Sequence, residues 1–462
     1  MPAPDRQLLQ PLASAPHKML IRGATVISMD GNVGNLPKGD ILIADGVIAA
    51  IGPQLDADGA EVIDAADMIA IPGMVDTHRH SWEGQLRRIN PNAESLEHYC
   101  NATHFSFAKY YRPQDIYVGN LLTALGCIDA GITTVIDNSH NSRTAAHSDA
   151  AVEALLDTGI RAVHAAGAPV AGDWDTAHWP GNLARLQAKY FNDPDSLVTL
   201  AMMAQLEPDQ WTVARELGIP IVTEFFGGGM AAELEGLHEQ GMLGSDNIFN
   251  HCTCLPETGW KILREAGVRV NVCPRSDAHY GIEDGVNAWQ KAFEHGIRPG
   301  LSVDNETSYS GDMFMEMRVA FYLQRAMDHT RRHHGHHHVA APSDAFRLLE
   351  AATIDGAAVA GLEQRIGSLS PGKQADLVLI HTGDLNIYPV NNAIGTVVHA
   401  AERSNIDTVI IGGRLRKRGG VVLGVDKAKL RAAIDESCMH LFSAAGYKPD
   451  LFEASFAPIH GS

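Results

Sequence analysis

Two histidines, His78 and His80, stand one residue apart in "DTHRH", directly after the apolar stretch "MIAIPGMV". Side chains at i and i+2 of a strand share a face, so both imidazoles can converge on one point. Neutral imidazole is the commonest metal ligand and suits Zn, Fe, Ni or Cu. Further along, apolar runs end in Asp137 with His140 nearby, in Glu224, in His251 and in Asp304. Histidines and carboxylates from separate strand ends can surround one divalent ion and leave a water position open, as a catalytic metal requires. Taken singly, each residue has a plainer reading. A lone strand histidine is more often a hydrogen-bonded core residue, Asp304 a turn or cap residue, and Glu224 a salt-bridged carboxylate. The joint pattern at strand ends outweighs these readings.

Such residues need a frame that brings strand ends together. Eight apolar runs of strand length follow one another: "AIPGMVDTH", "GITTVIDN", "GIRAVHAAG", "LVTLAMMAQ", "IPIVTEFF", "NIFNHC", "GVRVNVCP" and "IRPGLSVDN". Helical or loop segments separate them, among them "DAAVEALLDTG" and "PETGWKILREAG". Strands alternating with helices imply a parallel sheet, and eight units imply a closed (β/α)8 TIM barrel whose active site lies at the C-terminal strand ends. Short strands punctuated by Gly and Asp precede the barrel, and the same texture returns after it in "GSLSPGKQADLVLI" and "TVVHAAERSNIDTVIIGGRLRKRGG". The chain therefore reads as α/β, a barrel with a small β-sandwich built from both ends. The expected divisions are a loose tail over 1–17, sandwich over 18–71, barrel over 72–366, sandwich again over 367–425 and a helical C-terminal tail over 426–462.

A chain of 462 residues has room for this arrangement, and a net charge of −19 argues against nucleic-acid or anionic-membrane partners. Six sparse cysteines do not form a disulfide framework, which points to a reducing compartment. The N-terminal stretch has no apolar core of signal-peptide length, and no window approaches a membrane span. The expectation is a cytoplasmic protein with a small-molecule substrate, and a homodimer or higher homo-oligomer as the commonest default.

"IPGMVDTHRH" resembles the metal-binding signature of the amidohydrolase superfamily. "NHCTCL", "NVCPRSDAHYG" and "GLSVDNETSYSGDMFMEMRVA" resemble the strand 6, 7 and 8 segments of its cytosine-deaminase and triazine-hydrolase branch. "HRHSWEGQLRRI" is similar to the stretch after the metal histidines in triazine hydrolases, and "TIDGAAVAGLEQRIGSLSPGKQADLVLI" to that branch's return into the sandwich. The likeness spans roughly residues 18 to 425. It implies a distorted barrel with a flanking β-sandwich and one divalent ion, zinc before iron. By matching motif, His78, His80 and Asp304 would bind the ion, while His251 would contact the attacking water or polarise the substrate. Strand 5 departs from the pattern. Relatives there show His-x-x-Glu, the His on the metal and the Glu moving protons. In "GIPIVTEFFGGG" these positions fall on Glu224 and Gly227. A carboxylate can replace imidazole as a ligand, with less softness and one more negative charge. Glu224 is thus either a ligand or the proton-transfer group.

Position alone nominates the pocket. Trp82, Glu83 and Gln85 follow the histidine pair; His104, Phe105 and Phe107 lie in the first βα loop; His140 follows strand 2; Arg275 and His279 follow strand 7; Asn305 adjoins Asp304. Aromatic faces with a few polar groups suit a planar ring, although packing or surface roles suit each residue equally. The run "RRHHGHHHVA" at 331–340 reads as an exposed loop with adventitious metal affinity. Cys252 and Cys254 read as neighbours on one strand face, as small apolar residues rather than ligands, and "FFGGGM" as a flexible active-site loop.

The expected function is metal-dependent hydrolysis at a C–N or similar leaving-group bond of a small nitrogen heterocycle or amide-like compound. Asp304 would take the proton of the attacking water and His251 would stabilise developing charge. Two alternatives stay open. One is a lyase-like or ring-opening enzyme driven by Glu224, and the other is a non-catalytic ligand-binding member.

Overall fold

A computed structural model describes residues 8–12, 17–336 and 343–452. The chain first lays down β1 (Lys18–Val26), β2 (Leu36–Ala44), β3 (Val47–Gly52), β4 (Glu61–Asp64) and β5 (Met68–Pro72). The barrel follows, with β6 (Met74–Arg79), β7 (Ile132–Ser139), β8 (Arg161–Gly167), β9 (Val198–Met203), β10 (Ile221–Phe225), β11 (Asn247–His251), β12 (Arg269–Val272) and β13 (Gly300–Leu301). Then come β14 (Leu377–His381), β15 (Ile406–Ile411), β16 (Arg414–Arg418) and β17 (Val421–Val422). All eight strand runs expected of the barrel form strands in it.

β5 pairs with both β1 and β14, so the sheet β17-β16-β15-β14-β5-β1-β2-β3 joins the two ends of the chain, with β4 beside β1. The barrel strands are parallel and pair in chain order from β6 to β13. The (β/α)8 barrel with a β-rich unit from both chain ends is thus the observed architecture. Barrel strands are buried on both faces, which explains their unbroken apolar runs. Ile71, Met74, Val135 and Ala162 share a core with Trp211, Trp260 and Val409, so barrel, helices and sheet bury one another.

The seam between β13 and β6 is closed by few contacts. Arg79 and Asp304 form a parallel bridge; Asp304 N donates to His78 O at 3.0 Å and His80 N to Asp304 O at 2.8 Å. Asp76 also spans the seam. Its Oδ1 accepts from Val303 N at 3.1 Å, and its Oδ2 accepts from Arg79 Nε at 2.8 Å. Gly300 is required here, since a Cβ would lie 2.6 Å from Thr77 Cγ2. The Asp of "VDTHRH" therefore ties the histidine strand to the strand that leads to Asp304.

Local expectations fail in two places. Gly227–Glu239 is a helix rather than a flexible loop. Gly227 starts it at φ +77°, with its N–H on Thr253 Oγ1 at 2.9 Å. Cys252 and Cys254 lie beyond β11 in left-handed conformations (φ 55° and 60°), not on a strand face. Of the histidine-rich run, Arg331–His333 end the helix Met313–His333, and 337–340 lie outside the described residues. The helix Lys427–Ala445 packs back on the barrel, with Phe442 against Phe107 at 5.8 Å between ring centroids.

Candidate active site

β6 and the residue after it deliver His78 and His80 side by side, their ring centroids 4.7 Å apart. The seam sets Asp304 against both. Its Oδ1 is 3.1 Å from His78 Nε2 and 3.2 Å from His80 Nε2. From β10, Glu224 Oε1 lies 3.5 Å from His78 Nε2 and 3.7 Å from His80 Nε2. His251, last residue of β11, places Nε2 3.2 Å from Glu224 Oε2. All five side chains nominated from the sequence for metal and catalysis thus meet in one buried cluster. His251 and Asp304 both hold left-handed backbone, at φ 66° and 71°. Such conformations cost non-glycine residues on the order of 1–3 kcal/mol each and gather at functional sites.

Hydrogen bonds aim the rings. His80 Nδ1 lies 3.2 Å from Asn138 O, and a carbonyl only accepts, so Nδ1 carries a proton and Nε2 points to the centre. His251 Nδ1 donates to Asp277 Oδ1 at 2.7 Å with the same effect. The amides of Asn138 and Asn250 lie 2.5 and 2.9 Å from His78 Nδ1. Amide oxygen and nitrogen are assigned from such networks. Asn138 Oδ1 is buried without a partner, and turned about it would accept from Nδ1–H and free Nε2. Ser276 Oγ donates to Asp304 Oδ2 at 2.5 Å. Nitrogen and oxygen donors gathered and oriented in this way fit a zinc or iron ion. His78, His80 and Glu224 alone bring ligand atoms within 4.8 Å of one another.

Electrostatics match the geometry. Burial works against charge on Asp304 and Glu224, yet the surrounding imidazoles hold both carboxyls well below their ordinary range. Burial would lower His80, but the Asp304 hydrogen bond and nearby carboxylates raise it to about 9. His251 rises above its ordinary value despite burial because Cys273 and Asp277 face it. Burial pushes Glu83 up to about 8.

The pocket nominees divide. His140 Nε2 lies 3.3 Å from Glu224 Oε1, and its ring is 4.9 Å from His80. His104 sits 6.2 Å from His80, held neutral by burial and by His140 and His80. Glu83 accepts from Tyr99 OH at 2.8 Å, and Tyr99 lies 6.4 Å from His80 and 5.2 Å from Tyr280. His279 packs on Tyr309 at 5.5 Å, and Asn305 accepts from Tyr280 OH at 3.0 Å. The others point elsewhere. Trp82 is fully buried, behind His104 at 5.5 Å and against Tyr111 at 5.0 Å between ring centroids, in the same core cluster as Phe107. Gln85 donates to Asp115 O and Ser437 Oγ, away from the cluster. Phe105 is half-exposed. The Arg275 guanidinium is taken up by Ser310, by Glu316 Oε2 at 2.9 Å and by the Tyr309 ring at 4.4 Å. Asp137 faces His164, with Oδ2 2.8 Å from its Nδ1, so it leaves the strand-end constellation.

Sequence reasoning missed Asn138, Asn250, Ser276, Asp277 and Tyr99. Only Asp277 carried a signal, as a carboxylate one turn past strand 7.

The amidohydrolase family profile matches residues 214–416. The chain is 28% identical over 440 residues to the 5-methylthioadenosine/S-adenosylhomocysteine deaminase of Pelotomaculum thermopropionicum, covering 92% of this chain and 98% of the relative. It is 28% identical to the 5'-deoxyadenosine deaminase of Methanobrevibacter smithii, over 86% of this chain and 94% of that one. Among solved structures it superposes on an adenosine deaminase from Xanthomonas campestris with bound zinc. The TM-score is 0.79 and the identity 21%, over 93% of this chain and 100% of that one. An atrazine chlorohydrolase from Arthrobacter aurescens complexed with zinc gives a TM-score of 0.78 at 21% identity, over 91% and 100%. The resemblance to the amidohydrolase superfamily is borne out. The chain is similar in sequence to these deaminases and in fold to the triazine hydrolase structures.

Proposed function

We propose that the chain is a metal-dependent hydrolase that cleaves a C–N bond of a small nitrogen heterocycle and releases ammonia or an amine. The observation that carries this is the convergence of His78, His80, Glu224, His251 and Asp304 within hydrogen-bonding range in one buried centre. The named relatives are deaminases of adenosine-type compounds, so adenine nucleosides are the first substrate class we propose.

His78, His80, Glu224 and Asp304 would hold the ion, zinc before iron. A bound divalent ion would lower the pKa of a water toward neutrality and polarise the attacked ring. Asp304, kept ionised by its imidazole neighbours, takes the proton of the attacking water and passes it to the leaving group. His251, held by Asp277, presents Nε2 to charge developing on the substrate. Glu224 fills the place of the ligand histidine, and His140 steadies its Oε1. Tyr99, Tyr280 and His104 offer flat faces for a planar ring. A cytoplasmic location and a homodimeric or larger assembly complete the proposal. The first rests on six free cysteines and the second on the commonest symmetry of soluble enzymes.

The test is ammonia release from adenosine, 5'-deoxyadenosine and a panel of ring amines by zinc-loaded protein. Turnover that disappears with a chelator and returns with zinc is expected. Intact metal loading without amine release from any of them would overturn the proposal.

A further inference from the structure

A cavity of about 550 Å³ lies between Arg87 and Arg88, which follow the histidine pair, and Lys417 of β16. The protein carries a net charge of −19, yet five basic side chains line this cavity, Arg87, Arg88, Arg318, Arg403 and Lys417, against four carboxylates. The carboxylates have partners. Asp129 faces Lys417 Nζ at 2.9 Å and Arg403 Nε at 3.4 Å. Glu306 Oε2 accepts from Arg87 Nη2 at 2.8 Å. Asp312 caps the helix Met313–His333, accepting from Met315 N and Ser310 Oγ at 2.8 Å each. Glu402 caps the turn Arg403–Asn405. Two guanidiniums are left over. Arg88 has Glu306 Oε1 at 3.7 Å, beyond hydrogen-bonding distance. Arg318 donates to the carbonyls of Val398 and Ala401, which carry no net charge. Burial lowers the pKa of Arg88; Glu306 opposes this, while Arg87 and Arg403 repel the charge further. Arg88 also holds left-handed backbone at φ 59°, a conformation that gathers at functional sites. Behind the wall, Arg79 is 1% exposed and its Nη1 and Nη2 have no hydrogen-bond partner among the described residues. Nη1 is 2.9 Å from where a Cβ on Gly311, in the cavity lining, would stand.

We propose that this cavity binds a phosphate group, held by Arg88, Arg318 and Arg403. The proposal is independent of the metal-dependent reading above. Guanidinium forks match phosphate oxygens and grip them in pairs. The negative charge of the group offsets the repulsion of Arg88 by Arg87 and Arg403. Cavities of about 300–1,000 Å³ hold small ligands, so there is room for a phosphorylated molecule as well as the free ion. Glu306 ties the site to the candidate centre. It stands two residues after Asp304, and its Oε2 is 3.7 Å from Nη1 of Arg79, the residue between His78 and His80. Arg88 N donates to Glu306 O at 3.1 Å. Occupancy therefore fastens the segment after β6 to the segment after β13 and to Arg403 beside β15, and raises the melting temperature.

The experiment is calorimetric titration of the full-length protein with inorganic phosphate, beside thermal melts, with ionic strength held constant by chloride. Saturable binding and a rise in Tm are expected in wild type. Arg88→Gln/Arg403→Gln should weaken binding by at least roughly tenfold, the loss of charge-assisted hydrogen bonds. Both side chains are half or more exposed, at 50% and 62%, and circular dichroism confirms that the variant folds. Arg88→Gln alone gives the same test with a smaller loss. His78→Ala/His80→Ala should bind phosphate as wild type does, which separates this cavity from phosphate on a metal ion. Neither heat nor a Tm shift in wild type would overturn the proposal. So would binding that survives in both arginine variants, or binding lost in the histidine variant. Ribose 5-phosphate, with ribose as control, distinguishes the two occupants. Competition at a lower Kd than phosphate supports a phosphorylated molecule, and an equal or higher Kd supports the free ion.

Discussion

Asp277 Oδ1 accepts a 2.7 Å hydrogen bond from His251 Nδ1, and the opposite ring nitrogen faces Glu224 at 3.2 Å. One carboxylate thus holds Nδ1 as a donor and aims a histidine into the candidate centre. Asp277→Asn should keep the fold and the metal content but lower kcat by about 10–100-fold, the usual loss when the partner of such a histidine is removed. Steady-state kinetics beside metal analysis checks this, and an unchanged kcat would show that Asp277 does not orient His251.

Metal content per chain tests the centre itself. In a background lacking the histidines at 333, 334 and 336–338, the otherwise unaltered protein should hold about one ion at limiting zinc. His78→Ala/His80→Ala should hold almost none, measured by plasma mass spectrometry after dialysis. Equal metal in the two proteins would remove the assigned ligands from consideration.

Trp82 follows the histidine pair in sequence yet packs in the core against Tyr111. Trp82→Ala should therefore cost stability, roughly 3–5 kcal/mol for deletion of a buried aromatic. KM of the fraction that folds should change only through His104, which Trp82 backs at 5.5 Å, and by less than on removal of His104 itself. Denaturant titration and substrate saturation separate the two effects, and a large KM rise without destabilisation would return Trp82 to the pocket.

Asp355, paired with Arg298, supplies a pH-dependent contribution. Burial raises its carboxyl from 3.8 to about 6, against the pull of Arg298 at 2.9 Å. The folded form binds this proton more tightly than the unfolded chain. The associated stability is complete below about 3.8, declines as pH rises, and is gone above about 6. Asp355→Asn should flatten that part of the stability curve, with Arg298 still paired to Glu350 at 2.8 Å. Thermal melts from pH 4 to 7.5 read the slope; identical slopes in the two proteins would contradict the assignment.

The barrel was legible because each of its strands is buried on both faces and so appears as an unbroken apolar run. His78, His80, Glu224, His251 and Asp304 were legible because each ends such a run. Residues that act through a neighbour were not. Asn138 and Asn250 look like ordinary strand polar residues until β7 and β11 bring both to the same nitrogen of His78. Gln85 was assigned to the pocket by its nearness to His80. Its contact with Ser437, 352 positions away, depends on where the C-terminal helix docks. The glycines at 227–229 suggested a loop, but one left-handed residue and an N–H bonded to Thr253 suffice to begin a helix. In each case a distant contact decided what local composition left open.

The seam between β13 and β6 is held in part at Asp304, whose backbone bonds to His78 and His80 while its carboxylate faces their rings. One latch of the fold and the proposed seat of the chemistry are the same residue. Breathing motions that part this seam scatter the reactive groups in the same movement, and whatever grips those groups also bolts the barrel shut. Under the proposed function, activity is in that sense a report on whether a cylinder is closed.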